Sequence, residues 1–469
     1  MPPAVSIETV PSWEDASVFA FPEATLRALL TAVAIVILAV PAAGDGLHKR
    51  AQDRRGAAPR FTSELYGSVA TQDGDQLRLI TDLGNVIIHT QDSGKLDYHV
   101  HLETDSSQRD ARELLRKFRI TSRRAPDGVY LSGRAYGRDS SGRLWVTIFV
   151  NVPRSYNLDV STGGGNIEMD NLNGRASLST AGGNIFTGNI DGPAHLETGG
   201  GHISVKNVSG NLIANTGGGH ITAGSIGGNA VLHTSGGHIR VTSVEGVAHL
   251  DTGGGNVTLA HSGAELVAST AGGQIEVGEA VGLVHARTGG GGIRVVRLSG
   301  PTNLQSVGGS IYLTQVDSAV KASTSAGGIT AWFVSPSKQP GTCELQSDDG
   351  DIVVYLPRQL PVTIDAQIQL GDEHRVSFDP AFPLKVSYDS SSNGARSVRA
   401  EGELNGGGEV LRLRTVAGNI RVAVSDASKQ MQLYKQQMEQ LQQQMQQQME
   451  SQLRALEDSQ QSSDAPPQP

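Results

Sequence analysis

The chain has little cysteine, few aromatic residues and no strong excess of charge. Cys343 is the one cysteine among 469 residues, which excludes an intramolecular disulfide and any metal site built from several thiolates. We therefore interpret Cys343 as a small buried residue. Aromatic residues make up only 4% of the chain, so there is little material for a broad globular core. A formal net charge of −9 argues against nucleic acid as the partner.

Glycine is abundant instead, and much of it recurs in a fixed pattern. Ten times in a row, at a spacing of 18 residues, a Thr or Ser anchor is followed by glycines and then by an aliphatic residue. The anchors are Thr162, Thr180, Thr198, Thr216, Thr234, Thr252, Thr270, Thr288, Ser306 and Thr324. An unbroken period of this length indicates a repeat architecture, which builds a long surface rather than a single cleft. It favours a scaffold or binding surface over an enzyme.

One unit of the repeat contains the pattern of two β-strands. After the anchor Thr198, Ile203 and Val205 alternate with polar residues, Gly210 interrupts the run, and Leu212 begins a second alternation. We predict an all-β fold, a β-solenoid with 18-residue rungs and two strands per rung. Equivalent residues would stack about 4.8 Å apart, and glycine would occupy corner conformations that a Cβ forbids. The alternative is an antiparallel meander.

The repeats are flanked by less regular segments. Residues 161–340 form the predicted solenoid, residues 61–160 an irregular N-terminal β cap and residues 341–424 a C-terminal β cap. Within the N-terminal cap, residues 81–86 are a degenerate copy of the repeat turn, and residues 108–119 are predicted to form an amphipathic helix. The turn is restored once more in the C-terminal cap, at residues 415–420.

The N-terminus predicts export. Residues 1–27 are an acidic stretch, and residues 28–43 are an uncharged run of sixteen residues that ends in small residues, as a signal peptide does. The alternative is an uncleaved membrane anchor, although the run is short for a span of about 20 residues. The basic residues after the run would invert the usual orientation. We expect the protein in the periplasm or at the cell surface, either released or anchored.

The C-terminus changes character. Residues 428–459 are rich in Gln, with Met, Tyr and Leu at heptad spacing. This pattern predicts a helix that forms a coiled coil of about four heptads and joins chains into a homo-oligomer. The alternative is a solvated, partly disordered helix. Residues 460–469 are predicted to be disordered.

The motifs together resemble a known family. The recurring Gly-Asn-Ile and Gly-His-Ile turns, the Val152-Pro153 entry into the rungs and the exit at residues 411–420 resemble a bacterial family of β-strand-repeat proteins. That family is labelled as candidate adhesins and is otherwise a domain of unknown function. The resemblance covers roughly residues 60–424 and implies a place in the cell envelope and an adhesive role. The Gln-rich C-terminal helix and the acidic N-terminus depart from the family pattern.

One column of polar residues contains the only candidate metal ligands that we single out. Four residues after successive anchors stand His202, His220 and His238, which a solenoid would place in a row. Such a row could bind a transition metal. We favour a polar ladder that satisfies backbone groups at the corner, because no carboxylate or Cys accompanies it. We therefore predict no catalytic, cofactor-binding or metal site, and no cofactor.

These observations lead to one function and two alternatives. We expect an exported β-solenoid of the cell envelope that acts as a non-catalytic adhesion or structural binding module. Its partner would be a cell-surface glycan or an envelope protein, and not nucleic acid. The first alternative is a sensory or regulatory envelope protein that oligomerises through its C-terminal helix. The second is a polysaccharide-processing β-helix enzyme, which would need a close pair of carboxylates.

Overall fold

The computed structural model describes residues 61–425, except 107, 137–142, 335–340, 370–375, 379–381 and 391–395, together with residues 432, 435–437, 439, 440, 443 and 447. The N-terminal stretch 1–27, the apolar run 28–43 and the tail 460–469 lie outside this set, so what the sequence predicts for them stays a prediction. Within it, no helix is long and apolar enough to cross a membrane.

The elements before the first anchor form the N-terminal β cap. They are β1 (Phe61–Ala70), β2 (Gln76–Thr81), β3 (Asn85–Gln91), β4 (Lys95–Thr104), α1 (Gln108–Lys117), β5 (Phe118–Ala125), β6 (Gly128–Ala135) and β7 (Leu144–Pro153). The strand β1 pairs with β4, β4 pairs with β7, and β5 pairs with β6, all antiparallel. The predicted helix over 108–119 is two residues too long. Phe118 and Ile120 are buried at alternate positions and therefore start the strand β5.

The repeats form alternating strands of two sheets. They are β8 (Asn157–Thr162), β9 (Ile167–Met169), β10 (Leu172–Asn173), β11 (Ala176–Thr180), β12 (Ile185–Asp191), β13 (Ala194–Thr198), β14 (Ile203–Val208), β15 (Leu212–Thr216), β16 (Ile221–Ile226), β17 (Ala230–Thr234), β18 (Ile239–Val244), β19 (Ala248–Thr252), β20 (Val257–Ser262), β21 (Leu266–Thr270), β22 (Ile275–Ala280), β23 (Val284–Thr288), β24 (Ile293–Leu298), β25 (Thr302–Ser306), β26 (Ile311–Val316), β27 (Val320–Ala326) and β28 (Ile329–Phe333). We call the sheet that contains β14 sheet A and the sheet that contains β15 sheet B.

Every step from rung to rung in the middle of the rod is parallel and in register. Ile203 pairs with Ile221 in sheet A, and Thr198 pairs with Thr216 in sheet B. Both pairs are 18 residues apart. The prediction of a β-solenoid with 18-residue rungs and two strands per rung is therefore confirmed, and the antiparallel meander is wrong.

The C-terminal cap continues both sheets and then folds back. Its strands are β29 (Cys343–Asp349), β30 (Ile352–Leu356), β31 (Val362–Ile368), β32 (Val376–Phe378), β33 (Lys385–Ser390), β34 (Arg396–Leu404), β35 (Val410–Ala417) and β36 (Ile420–Val424). The strand β29 pairs with β35 and β30 pairs with β36, both parallel, so the restored turn at 415–420 belongs to a further rung. Sheet B then ends in the antiparallel strands β34 and β33.

The degenerate turn at 81–86 also belongs to a rung. Thr81 lies opposite Thr162 in sheet B, and Val86 lies opposite Ile167 in sheet A. The strands β2 and β3 therefore stack directly under the first anchored unit. Aliphatic side chains from both sheets form one continuous core, which runs from this rung to β36.

The corner glycines are needed mainly because the rungs stack closely. This corrects the expectation that they are needed for a backbone conformation that a Cβ forbids. A positive φ occurs at Gly174 and Gly192. In most corners the constraint is instead the rung below. A Cβ on Gly219 would lie 1.9 Å from the carbonyl oxygen of Gly201, whereas a Cβ on Gly218 would meet nothing within 4 Å. The last glycine of each corner is thus excluded from carrying a side chain by its equivalent one rung earlier.

Part of the Gln-rich C-terminal segment lies against sheet A. Its described residues are helical, and the Thr314 hydroxyl donates to Gln437 Oε1 at 2.8 Å. Val296 and Thr314 are buried on the outward side of sheet A, although Lys206 at the equivalent position of an earlier rung is exposed. The helix therefore contacts its own rod. The coiled coil predicted for 428–459 stays a prediction.

Candidate functional site

The three histidines of the predicted row form a column at the corner that precedes each strand of sheet A. The rings of His202 and His220 stack with centroids 4.9 Å apart and an interplanar angle of 17°, and those of His220 and His238 stack at 4.9 Å and 13°. The rings are nearly parallel and lie one above the other, so they form a column. Ligands of one zinc ion instead surround it and point their nitrogen atoms at a common centre.

Each side chain of the column accepts a hydrogen bond from the backbone of the next rung. His202 Nδ1 accepts the N–H of His220 at 2.9 Å, and His220 Nδ1 accepts the N–H of His238 at 2.9 Å. The same bond is made by the other members of what we call the corner column, which are Asn85, Asn166, Asn184, His238 and Asn256. This is the polar ladder expected from the sequence.

The surroundings keep the central imidazoles neutral. Burial lowers the pKa of His220 below its usual value, and the neighbouring His202, His238 and Arg240 lower it further. Burial, followed by the charge of Arg240, also lowers the pKa of His238. A neutral ring can accept at Nδ1 only if its proton is on Nε2, so the ladder fixes the tautomer. Among the residues that the structure describes, no group of three or more His, Cys, Asp or Glu is arranged to hold a metal ion.

A second polar cluster lies where the N-terminal cap meets the first repeats. A hollow of about 440 Å³ opens on the outer side of sheet A, over the strands β3, β9, β12 and β14. We call it the sheet A hollow. It is lined by Ile87, His89, Arg154, Glu168, Asp170, Asn171, Phe186 and Lys206, among others.

Strand register determines how these side chains are arranged. Glu168 lies opposite Ile87 on one side and Phe186 on the other, so one row across the strands places a carboxyl group between two apolar side chains. Asp170 follows the end of β9 and lines the same hollow as Glu168. Thr187 is buried opposite the core residues Met169 and Val205, so its side chain faces the interior and not the hollow. The outward side carries Phe186 beside Glu168 and Asp170. The hollow thus combines apolar surface with hydrogen-bonding groups.

The two carboxyl groups have opposite pKa shifts. His89 Nδ1 lies 3.0 Å from Asp170 Oδ2, and this hydrogen bond is the main cause that lowers the pKa of Asp170. The positive charge of Lys206 contributes in the same direction. Burial raises the pKa of Glu168, and the charge of His89 offsets this only in part. Asp170 is therefore the stronger acid of the pair and loses its proton at a lower pH than Glu168.

Sequence reasoning missed this hollow. Glu168 and Asp170 were not predicted as functional residues, because an acidic pair that occurs in only one rung produces no periodic sequence pattern. The partner of Asp170, His89, is 81 residues earlier in the chain, in the irregular cap. The available signal was the first repeat itself, where Ile167 is followed by Glu168 and Asp170 while the next rung has Phe186 and Gly188.

Cys343 is a structural residue in this molecule. It is buried, and burial raises the pKa of its thiol to about 11. A thiol with such a pKa is almost entirely protonated at neutral pH and is a poor nucleophile or metal ligand. The interpretation of Cys343 as a small buried residue agrees with this position.

Comparisons with known proteins identify the family without identifying an activity. The family model described as Toastrack DUF4097 matches residues 76–423. No curated protein matches the chain.

Several solved structures are similar in part. A candidate cell adhesion protein of Clostridium sporogenes is 12% identical, with 78% of this chain and all of that chain covered and a TM-score of 0.16. A candidate adhesin of Bacteroides fragilis is 12% identical, with 58% and 97% covered and a TM-score of 0.21. A candidate lipid binding protein of Parabacteroides distasonis is 11% identical, with 77% and 97% covered and a TM-score of 0.18. At these TM-scores the similarity carries no argument about function.

Proposed function

The chain belongs to the Toastrack DUF4097 family, whose model covers most of it, and on that premise we propose that it is a non-catalytic binding module of the cell envelope. In this proposal the protein is exported, and the apolar run 28–43 either is removed or anchors it. The rod holds the ligand-binding side chains on a rigid support, since each rung is hydrogen bonded to its neighbours along both sheets.

The observation that carries the proposal is the sheet A hollow. Ile87 and Phe186 offer apolar surface, and Asp170, Asn171 and Lys206 offer hydrogen-bonding groups beside it. A sugar ring has the complementary character, with an apolar C–H face and hydroxyl groups at its edge. A few polar groups beside apolar surface are the usual composition of a ligand site. We therefore favour a surface glycan as the ligand, and an envelope protein is the competing outcome.

The sheet A hollow also gives the enzyme alternative a specific basis. Two carboxyl groups whose pKa values are shifted in opposite directions are the pattern of an acid and base pair. However, the side chains of His89 and Asp170 are 46% and 49% exposed. A glycosidase needs both carboxyl groups free to act on the glycosidic bond, one as acid and the other as base or nucleophile. Asp170 is instead hydrogen bonded to His89, which favours binding over catalysis.

A glycan microarray of bacterial surface polysaccharides tests the proposal with the full chain. We expect Phe186→Ala combined with Asp170→Asn to lower the affinity for the bound glycan by about tenfold or more, since an aromatic contact and a charged hydrogen bond are lost. Tyr312→Ala is the matched control, because Tyr312 has the same strand position as Phe186 seven rungs later and is 41% exposed. It should leave binding unchanged.

Two results would contradict the proposal. Turnover of a polysaccharide by the purified protein, abolished in Glu168→Gln, would establish the enzyme alternative. Binding of one defined envelope protein, with no glycan retained on the array, would favour the sensory or regulatory alternative.

A further inference from the structure

The corner column has a consequence for recognition that extends the proposed function to a second surface. Each of its members uses its acceptor atom, Oδ1 or Nδ1, for the backbone N–H of the next rung. The polar atoms that remain are Asn Nδ2 and His Nε2, and both are donors in this state. From Asn85 to Asn256, the corner is therefore a line of neutral hydrogen-bond donors.

The spacing of the donors is set by the fold. The three histidine rings are 4.9 Å apart from centroid to centroid. The seven members are all partly or fully exposed, and none of them is an acid. Arg240 lies two residues after His238, and its charge lowers the pKa of both His220 and His238. A cation thus reinforces the central part of the line.

These features define the ligand. It must be linear, and it must bring an acceptor, preferably an anionic one, about once per rung. An extended peptide does not fit, because its side chains on one face repeat about every 6.7 Å. One sugar residue of an extended polysaccharide is about as long as a rung is high, and its hydroxyl and carboxylate oxygens offer acceptors on more than one side of the chain. A carboxylate on each sugar would accept from the Nε2–H and Nδ2–H donors and from the Arg240 guanidinium.

We propose that the corner column binds a linear polysaccharide with one carboxylate per sugar residue, which lies parallel to the axis of the rod. This inference rests on the proposed function, in that it names the ligand class of a binding module. It assigns that ligand to the corner column and not to the sheet A hollow.

The test uses hexagalacturonate, which has one carboxylate per sugar, and neutral cellohexaose as probes. Both are titrated calorimetrically into the full chain at pH 7.5 and about 0.15 M salt, where exposed charges are screened beyond roughly 8 Å. We expect hexagalacturonate to bind at least tenfold more tightly than cellohexaose, since charge-assisted hydrogen bonds are the stronger ones. Equal affinity for the two probes would overturn the proposal.

Two triple variants separate the donors from the ladder. His202→Asn, His220→Asn and His238→Asn together keep an acceptor and a donor at each position, so affinity should stay within about threefold. The corresponding three His→Asp changes keep the acceptor, as Asp351 does when it accepts the Asn419 N–H at 2.7 Å, but remove the donors. They should lower affinity at least tenfold, because the charge-assisted hydrogen bonds are lost and the new carboxylates repel an anionic ligand.

Further controls keep the test decisive. If the triple Asp variant does not fold, as judged by its circular-dichroism melt, the single change His220→Asp replaces it. Arg240→Gln should weaken binding about fivefold or more, whereas Arg294→Gln should not. Arg294 has the same strand position three rungs later, beside Gly292, where the column has no side chain.

The possible failures are distinguishable. Binding of hexagalacturonate that survives the triple Asp change but is lost in Phe186→Ala would place the ligand in the sheet A hollow. That result would overturn the corner site and leave the proposed function standing. Failure of every glycan to bind the wild-type protein would overturn both.

Discussion

Thr216 donates its hydroxyl proton to the backbone carbonyl oxygen of Gly201, which lies 2.7 Å away in the preceding corner. The same hydroxyl accepts the Gly219 N–H at 3.2 Å. One buried side chain thus joins two consecutive corners. The same pair of bonds is made by Thr180, Thr198, Thr234, Thr252, Thr270, Thr288 and Ser306.

The anchor hydroxyl should therefore be needed for stability. We expect Thr216→Val to lower the free energy of unfolding by about 1–3 kcal/mol, because it leaves a carbonyl and an amide without this partner. Thr216→Ser keeps the hydroxyl and should cost about 1 kcal/mol for the lost methyl group. Urea unfolding followed by circular dichroism measures both. A valine variant as stable as the wild-type protein would show that the two bonds contribute nothing net.

Neighbouring glycines should respond very differently to a methyl group. Gly219→Ala would place its Cβ 1.9 Å from the Gly201 carbonyl oxygen, whereas Gly218→Ala would have free space around its Cβ. We expect a loss of at least about 3 kcal/mol for the first, from overpacking against backbone, and less than about 0.5 kcal/mol for the second. Thermal melts compare the two. Similar melting temperatures would contradict the close stacking of the corners.

The core column predicts a similar contrast between two isoleucines. Ile221 is fully buried, and Ile213 in the adjacent strand of the other sheet is 39% exposed. Ile221→Asp should cost several kcal/mol and open the rungs around it, because a carboxylate would be buried without a partner. Ile213→Asp should cost about 1 kcal/mol or less. Hydrogen exchange of the two variants locates the damage, and equal protection in both would exclude the assigned inward face.

The repeat could be predicted because the same short sequence pattern recurs ten times at a constant spacing of 18 residues. Ile203 and Ile221 are 18 residues apart in the sequence and adjacent in sheet A, so a spacing in the sequence directly becomes a contact. The reason for the glycine at 219 could not be predicted, because it depends on how closely the carbonyl of Gly201 approaches. The sequence indicated that the corner glycines are needed for their backbone conformation. In most corners they are needed because a Cβ would clash with the backbone of the preceding rung.

The two candidate sites also differ in whether the sequence could predict them. The His202, His220 and His238 row belongs to a column, so its ladder role could be predicted. The sheet A hollow depends on Asp170 meeting His89, a contact between a repeat and an irregular cap strand. No periodicity links those two positions. The contact between the C-terminal segment and Thr314 could not be predicted from the sequence either, because Gln and Met specify a partner surface weakly.

The corner column should make stability depend on pH. The pKa of both His220 and His238 is lowered in the folded chain, while an unfolded His titrates near its ordinary value of 6.5. The unfolded chain therefore binds more protons in this window, and stability rises with pH. The contribution is fully present above about pH 6.5 and is lost as the pH falls below it towards the lowered folded-state values.

A matched variant isolates this effect. Replacing His202, His220 and His238 by Asn keeps the ladder acceptors but removes the titration. Between pH 7.5 and pH 5.0, we expect the wild-type protein to lose more stability than this variant, measured as the difference in melting temperature. Parallel pH profiles for the two proteins would exclude the histidines as the cause.

Removal of one whole rung should shorten the rod without unfolding it. Deleting residues 216–233 joins Asn215 to Thr234, so Gly237 takes the place of Gly219 and His238 that of His220, and every column keeps its register. Since each rung contacts mainly its neighbours, the shorter protein should remain folded. Deleting only residues 216–224 instead brings strand positions of sheet A under those of sheet B and buries polar side chains. Its melting temperature should fall much further. Equal damage in the two deletions, seen in circular-dichroism melts, would count against the independent 18-residue rung.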